Sequence, residues 1–308
     1  MKLEERLTEN QLKVMGDKYL MGDSPEEWLR GIAHNIALAE LLYDDRVDRE
    51  KILTGVNYSY EDGVLLLHTN LNSYESRRNN FSRFIENLDR LSREDGIAKE
   101  IIFDYERRFY ETLSNFEFLP NSPTLMNAGR DLQQLSGCFV LPVEDSIEGW
   151  GETIAATLLV HKSGGGTGFS FSQVRPKDDL VKSTRRIATG PLSPMRMIDK
   201  VTYEVKQGGT RRGANMAVLD VHHPDIRSFI TSKSSEGELE NFNISVALTD
   251  GFMRAYENNE TYDLINPRVG SVTGKESARE IFDLIVETAH KTADPGIVFI
   301  DRINADNP

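Results

Sequence analysis

From Leu119 onward, short apolar runs alternate with capped helical segments. That alternation limits what the chain can fold into more than any other feature. Ser136 to Leu141 predicts a short buried strand, stopped by Pro142. Asp145-Ser146-Ile147-Glu148 reads as a capping box opening a helix, with Ile147, Trp150, Ile154 and Leu158 on one face. His161 and Lys162 fall in its last turn, where Gly164 can cap it. Gly168 to Val174 sets Phe169 and Phe171 at strand spacing. Ser193-Pro194 opens a second helix, with Met197, Val201 and Val205 inward and Gly208 at its C-cap. Ala214 to Val221 predicts a strand, Pro224 to Ser232 a helix, Asn243 to Leu248 a strand and Asp250 to Asn258 a helix. Ser277 and Glu280 form another capping box, opening a helix through Ile281, Leu284, Ile285 and Thr288. Ile297 to Ile300 is a final apolar strand with nothing after it to cover it. Such alternation predicts an α/β fold with a mostly parallel sheet or barrel.

Residues 1 to about 118 differ in character. They read as a polar, helical packing domain. Ser24 is an N-cap, Pro25 sits at N1 and Glu27 completes a capping box. Trp28, Ile32, Ile36 and Ala39 recur at helical spacing, and Ile101 to Phe116 is amphipathic. Asp62-Gly63, followed by an apolar run from Val64, reads as a turn into a strand.

With 308 residues the chain can hold one large domain or two ordinary ones. Its net charge of −13 argues against general binding to nucleic acid backbone. Local basic clusters occur at Lys182 to Arg186 and Lys206 to Arg212, and a small phosphorylated ligand needs only such a patch. No run of eighteen apolar residues spans a membrane, and the charged N-terminus does not read as a signal peptide. The single cysteine excludes an internal disulfide framework and suits a reducing compartment, so a cytoplasmic location is expected.

The sequence leaves two readings open at each candidate site. Cys138, after Ser136 and Gly137, is a small buried hydrophobe or a thiol that donates electrons. One thiol cannot deliver two electrons as a disulfide, so a second must come from elsewhere. The segment from Asn121 to Gly129 is turn chemistry, or a phosphate or ribose contact through Ser122. Gly164 to Gly168 fails as a Walker A motif, because Lys162 and Ser163 precede the glycines. It fails as a dinucleotide fingerprint because it follows a helix and precedes a strand. A helix C-cap with backbone bared for a ligand suits it better. The two basic loops are solvated, or clamp a nucleoside triphosphate between them. His222 and His223 are neighbours that point apart, which disfavours a metal.

Leu119 to Leu141 and Gln207 to Asp225 together resemble the large catalytic subunit of ribonucleotide reductase, most closely its adenosylcobalamin-dependent (class II) form. The resemblance covers Leu119 to Pro308 well and the N-terminal helices more loosely. It implies an N-terminal helical domain (1–118), then roughly the first half of a ten-stranded α/β barrel (119–308). It also implies that Cys138 is half of a redox-active pair, reducing the 2′-carbon of a ribonucleotide and recycled by thioredoxin or a similar dithiol. Ser122, Ser136, Gly137, Gly165 and Gly166 would bind substrate. Asp145, Ser146 and Ile147 would read a deoxynucleoside triphosphate effector. Lys182 and Arg186 would hold its phosphates. Gln207, Gly208, Gly209, Arg211 and Arg212 would couple effector identity to substrate choice, at a homodimer interface.

Three departures leave effector preference open: Arg185-Arg186 where two glycines are expected, Asp178 where a glycine is frequent, and His222 where a tryptophan is common. The N-terminal pattern of an ATP-binding cone is absent from this sequence. The family's Asn-Pro-Cys-Gly-Glu finger loop is expected shortly after Asn307-Pro308. The resemblance therefore implies the N-terminal part of a split or truncated reductase, inactive without its C-terminal half. A non-catalytic nucleotide-binding module and a gene fragment are the alternatives. Diphosphate and triphosphate substrates are both compatible with these motifs.

Overall fold

The structure is a computed structural model that describes residues 3–61, 64–68, 74–181, 186–205, 213–235, 237–305 and 307. The chain divides into two compact units, Met1–Leu135 and Ser136–Pro308.

The first unit carries α1 (Glu9–Met15), α2 (Pro25–Ala37), α3 (Arg49–Leu53), the hairpin β1 (Tyr58–Glu61) and β2 (Val64–Leu67), α4 (Tyr74–Glu94), α5 (Gly96–Ser114) and α6 (Ser122–Asn127). The capping box at Ser24 and Glu27 forms as the sequence predicts, with Pro25 in the first turn. Trp28 and Ile32 are buried, whereas Ala39 lies past the end of α2 and is exposed. The helical expectation missed Tyr58–Glu61, which pairs antiparallel with β2 from Tyr58↔Leu67 to Glu61↔Val64. Asp62 and Gly63, expected to form that turn, lie outside the described residues.

Two apolar clusters fill this unit. One gathers Leu41, Ile52, Leu88 and Ile101. The other gathers Trp28, Ile32, Leu113 and Leu125. The Trp28 indole N–H donates to the Leu125 carbonyl at 2.9 Å, satisfying a polar group that burial would otherwise leave unpaired. This contact ties α6 to the helices before it. The compact unit consequently extends to Leu135, where the sequence expectation set the change at Leu119.

The second unit continues with β3 (Cys138–Val140), α7 (Ile147–Lys162), β4 (Gly166–Ser170), the short ladder β5 (Leu180–Val181) and β6 (Arg186–Ile187), α8 (Leu192–Glu204), β7 (Asn215–Asp220), α9 (Ile226–Ile230), β8 (Phe242–Leu248) and α10 (Asp250–Glu257). The hairpin β9 (Thr261–Ile265) and β10 (Val272–Ser277), α11 (Ala278–Thr292), β11 (Gly296–Phe299) and α12 (Ile300–Ala305) complete it. Strands β11, β8, β7, β4 and β3 lie in that order in one sheet, and every pairing is parallel. Its core is aromatic and branched aliphatic: Phe169, Phe171, Leu219, Phe242, Ile244 and Phe252 are all nearly inaccessible.

Several sequence expectations change here. The cysteine strand is not buried. Among the described residues it pairs with β4 alone, and Val140 is 87% exposed. The capping box at 145–148 does not form; Ser146 alone caps α7, its hydroxyl accepting from the Gly149 N–H at 3.0 Å. Helix α8 buries Met195, Ile198 and Thr202, while Met197 faces solvent. Finally, β11 is followed by α12, so Ile300 is helical rather than the end of a strand.

Helix α7 keeps part of its expected face, since Trp150 and Ile154 pack against the core, but Ile147 departs from it. The helix buries Gly149, Thr153, Thr157 and His161, and leaves Ile147 at 71% and Leu159 at 64% exposure. The buried hydroxyls are satisfied locally. Thr153 donates to the Pro142 and Gly149 carbonyls, and Thr157 donates to the Thr153 carbonyl at 2.8 Å. Periodicity alone ranks apolar residues inward and cannot see this back-bonding.

Candidate functional site

The thiol of Cys138 is exposed at the first position of β3. Parallel pairing sets Cys138 opposite Gly166, and the Gly166 N–H donates to the Gly137 carbonyl at 2.8 Å. Ser136, Gly137, Cys138 and the turn at 164–166 are thus brought to one end of two adjacent strands. Gly164 has φ +85°, and its N–H and that of Gly165 return to the carbonyls of His161 and Val160. This is the helix C-cap the sequence predicted.

Gly165 has a second reason to be glycine. A Cβ there would lie 2.6 Å from a Phe139 ring carbon and 2.8 Å from a Val160 methyl. Its missing side chain lets the end of α7 pack on β3. Gly166 has no such crowding, its nearest neighbour being the Ala214 carbonyl oxygen at 3.4 Å. Ser122 opens α6 in the other compact unit, is exposed, and follows Asn121, whose side chain accepts from the Thr124 N–H at 2.9 Å.

A second group of residues collects at the N-terminus of α7. Asp145, not part of the cap, accepts from Arg175 Nε at 2.7 Å and from the Arg175 backbone N–H at 3.2 Å. Both side chains are about four-fifths buried. Ile147 projects outward beside them. Beyond Arg175 the chain turns through Asp178, a non-glycine residue at φ +69° and the position where a glycine is frequent. Asp179 is held by Arg268 through two bonds of 2.8 and 2.9 Å and by Asn266 at 3.2 Å. The β9–β10 hairpin therefore anchors the segment that leads into the first basic loop. Lys182 and residues 207–212 lie outside the described residues. For Arg186 the structure describes only the backbone, in β6.

Sequence reasoning missed Arg175 and Arg268, since an arginine after a strand or in a hairpin carries no local signal of its partner. His222 and His223 are structural. His222 Nδ1 lies 2.8 Å from the Asp263 carbonyl, and Nε2 lies 3.2 Å from Thr249 Oγ1. His223 Nε2 donates to the Val174 carbonyl at 2.9 Å, while Nδ1 accepts from the Asp225 N–H. Among the described residues no group of three His, Cys, Asp or Glu side chains is placed to hold a metal ion. No helix among them is long and apolar enough to cross a membrane.

A helical unit followed by a parallel α/β unit, its first strand opening on a surface cysteine, defines the architecture. Residues 5–133 match the family described as ribonucleotide reductase, all-alpha domain, and residues 136–308 match ribonucleotide reductase, barrel domain. The chain belongs to the ribonucleotide reductase large-subunit family.

Among its curated relatives is a vitamin B12-dependent ribonucleoside-diphosphate reductase of Thermoplasma acidophilum, 43% identical over 331 aligned positions, covering 98% of this chain and 41% of the relative. A second, from Mycobacterium tuberculosis strain H37Rv, is 51% identical over 205 positions, covering 66% of this chain and 29% of the relative. A vitamin B12-dependent ribonucleotide reductase of Streptomyces coelicolor is 34% identical over 229 positions, covering 66% of this chain and 23% of the relative. The chain spans about two fifths or less of the length of these relatives.

Proposed function

We propose that the chain takes part in the reduction of ribonucleotides to deoxyribonucleotides, as the N-terminal part of a vitamin B12-dependent reductase. The observation that carries this reading is the exposed Cys138 thiol at the start of β3. It stands on a sheet whose sequence is shared with reductases of that name. In the proposed reaction the substrate loses its 2′-hydroxyl as water. Two thiols supply two electrons and two protons and become one disulfide. Cys138 is one thiol. The chain has no other cysteine, so its partner lies in the C-terminal half of the reductase, carried by a second chain or segment. Thioredoxin or a similar dithiol then reduces the disulfide.

Gly166 bares the backbone beside Cys138, and Ser136 and Gly137 line the same strand start, so these three are the substrate contacts the geometry favours. Adenosylcobalamin would supply the initiating radical. No step through it is assigned to the described residues.

The Asp145–Arg175 pair at the capped end of α7 supports an effector site for a deoxynucleoside triphosphate. The carboxylate offers acceptors for ribose or base N–H and O–H groups, and the free Ile147 side chain offers an apolar face for the base. Lys182, Arg186, Arg211 and Arg212 would bind the phosphates. The outward apolar side chains of α7, Ile147 and Leu159, suit a second copy of the chain, which would set the effector site at a homodimer interface.

The test is reconstitution with the complementary C-terminal half of a close relative, adenosylcobalamin, a dithiol reductant and each ribonucleotide. The pair is expected to form deoxynucleotide over many turnovers, and Cys138→Ser is expected to abolish them. Sustained thioredoxin-dependent turnover by the serine variant would sink the assignment.

A further inference from the structure

The buried face of α7 ends on a polar network that the thiol chemistry does not use. His161 is fully buried, and its Nε2 lies 3.1 Å from Thr167 Oγ1. Thr167 donates its own hydroxyl proton to Asn215 Oδ1 at 2.7 Å. Its oxygen must therefore accept from His161, so Nε2 carries a proton. The Asn215 amide donates onward to Thr202 Oγ1 at 3.0 Å and to the Asn241 carbonyl at 3.1 Å. Asn241 is held in turn by Asp199, which accepts from its backbone N–H at 2.9 Å. Thr167, Thr202 and Asn215 are each no more than 4% exposed.

The placement of two of these residues gives the network a purpose. Thr202 lies in the last turn of α8, and Asn215 is the first residue of β7. Between the two elements runs the second basic loop, with Lys206, Arg211 and Arg212. The Asn215–Thr202 hydrogen bond therefore joins the two stems of that loop. Gly213 closes the same point. A Cβ there would lie 2.9 Å from the Thr202 methyl and 3.0 Å from His161 Nδ1. The loop leaves and re-enters the fold through a gap closed by hydrogen bonds on one side and van der Waals contact on the other. Such a gap needs only an apolar seal if its task is stability alone, because buried polar groups are costly unless fully paired. Directed hydrogen bonds add a fixed spacing between the stems.

We propose that Thr202 and Asn215, backed by Thr167 and His161, are positioning residues that clamp the end of α8 to the start of β7, the two stems from which the second basic loop departs. The purpose of the clamp rests on the nucleotide-site reading; its existence does not. The test uses the full 308-residue chain without nucleotide. Trypsin cleavage after Lys206, Arg211 and Arg212 is timed far below the melting temperature, relative to cleavage elsewhere. Thr202→Val keeps the shape and removes the hydroxyl; Thr202→Ser keeps the hydroxyl and removes the methyl that touches Gly213.

The clamp requires the valine variant to be nicked in the loop roughly fivefold faster or more, as expected for losing one buried hydrogen bond. The serine variant should stay near wild type. The reverse order, or wild-type nicking in Thr202→Val, overturns the clamp and leaves packing as the only role. Should valine at 202 unfold the chain, the same ordering is read on Thr167→Val against Thr167→Ser. Protection of the loop by added deoxynucleoside triphosphate is a separate readout. Its absence would count against the nucleotide site and leave the clamp standing.

Discussion

Gly165→Ala separates a glycine kept for a ligand from one kept for packing. The added Cβ would meet Phe139 ring carbons at 2.6 and 2.8 Å and a Val160 methyl at 2.8 Å. Ordinary carbon–carbon contact is about 3.5–4.0 Å, so three contacts overlap by nearly an ångström. Relief needs movement of Phe139 on β3 or of the last turn of α7. Overpacking of this kind costs about 1–3 kcal/mol. Loss of glycine's freedom in the unfolded chain returns about 0.4–1 kcal/mol, because the backbone at 165 is not left-handed. A net loss of about 1–2 kcal/mol remains, which for a unit of this size lowers the melting temperature by about 2–8 °C.

Calorimetry on the chain without ligands measures it, with Gly166→Ala as the control. Gly166 has no neighbour closer than 3.4 Å, so its variant should melt within about 2 °C of wild type. Phe139→Leu in the Gly165→Ala background should recover part of the loss by opening the space. An unchanged melting temperature in Gly165→Ala would refute the packing argument and return Gly165 to the substrate contacts.

Two further outcomes are expected. Burial holds His161 and His223 below the usual imidazole range, the Ala214 backbone acting weakly the other way on the first and the Val174 carbonyl, Asp225 and Asp220 on the second. The unfolded chain takes up protons near pH 6.5 that the fold refuses, so stability is complete above about pH 6.5 and falls as pH drops toward the depressed native values. Each histidine contributes up to about 1.4 kcal/mol per pH unit in that window, and urea unfolding at pH 7 and 5.5 should show a slope that flattens in His223→Gln. Arg186→Ala should weaken deoxynucleoside triphosphate binding about tenfold by calorimetric titration, as expected for one charge-assisted phosphate contact. Unchanged affinity would remove Arg186 from the site.

What the sequence disclosed depended on whether the deciding interaction was local. The caps at Ser24, Ser146 and Ser277 act within one turn, but only Ser24 among them forms the full box; at Ser277, where a box is expected, the hydroxyl alone caps the helix by accepting from the Glu280 N–H. The third shows the limit. Asp145 has the chemistry of a cap, but Arg175, thirty positions on, competes for its carboxylate with a charge-assisted pair, and the weaker hydroxyl of Ser146 takes the helix end. The strands of the parallel sheet were legible because branched and aromatic residues fill them, yet their order was not. Cys138 is exposed on β3, which among the described residues pairs with β4 alone, a neighbour relation that no local pattern encodes.

The buried polar residues argue the same way from inside the fold. Thr167, Thr202 and Asn215 are ordinary surface types in a sequence, and each is nevertheless buried. They become intelligible only as a set, because the hydrogen bonds that join them run between different elements: α7, β4, α8, β7 and the residue before β8. Substituting any one strands the next. A set so arranged holds five element ends at one spacing, and those ends bracket both the turn beside the thiol strand and the stems of the basic loop.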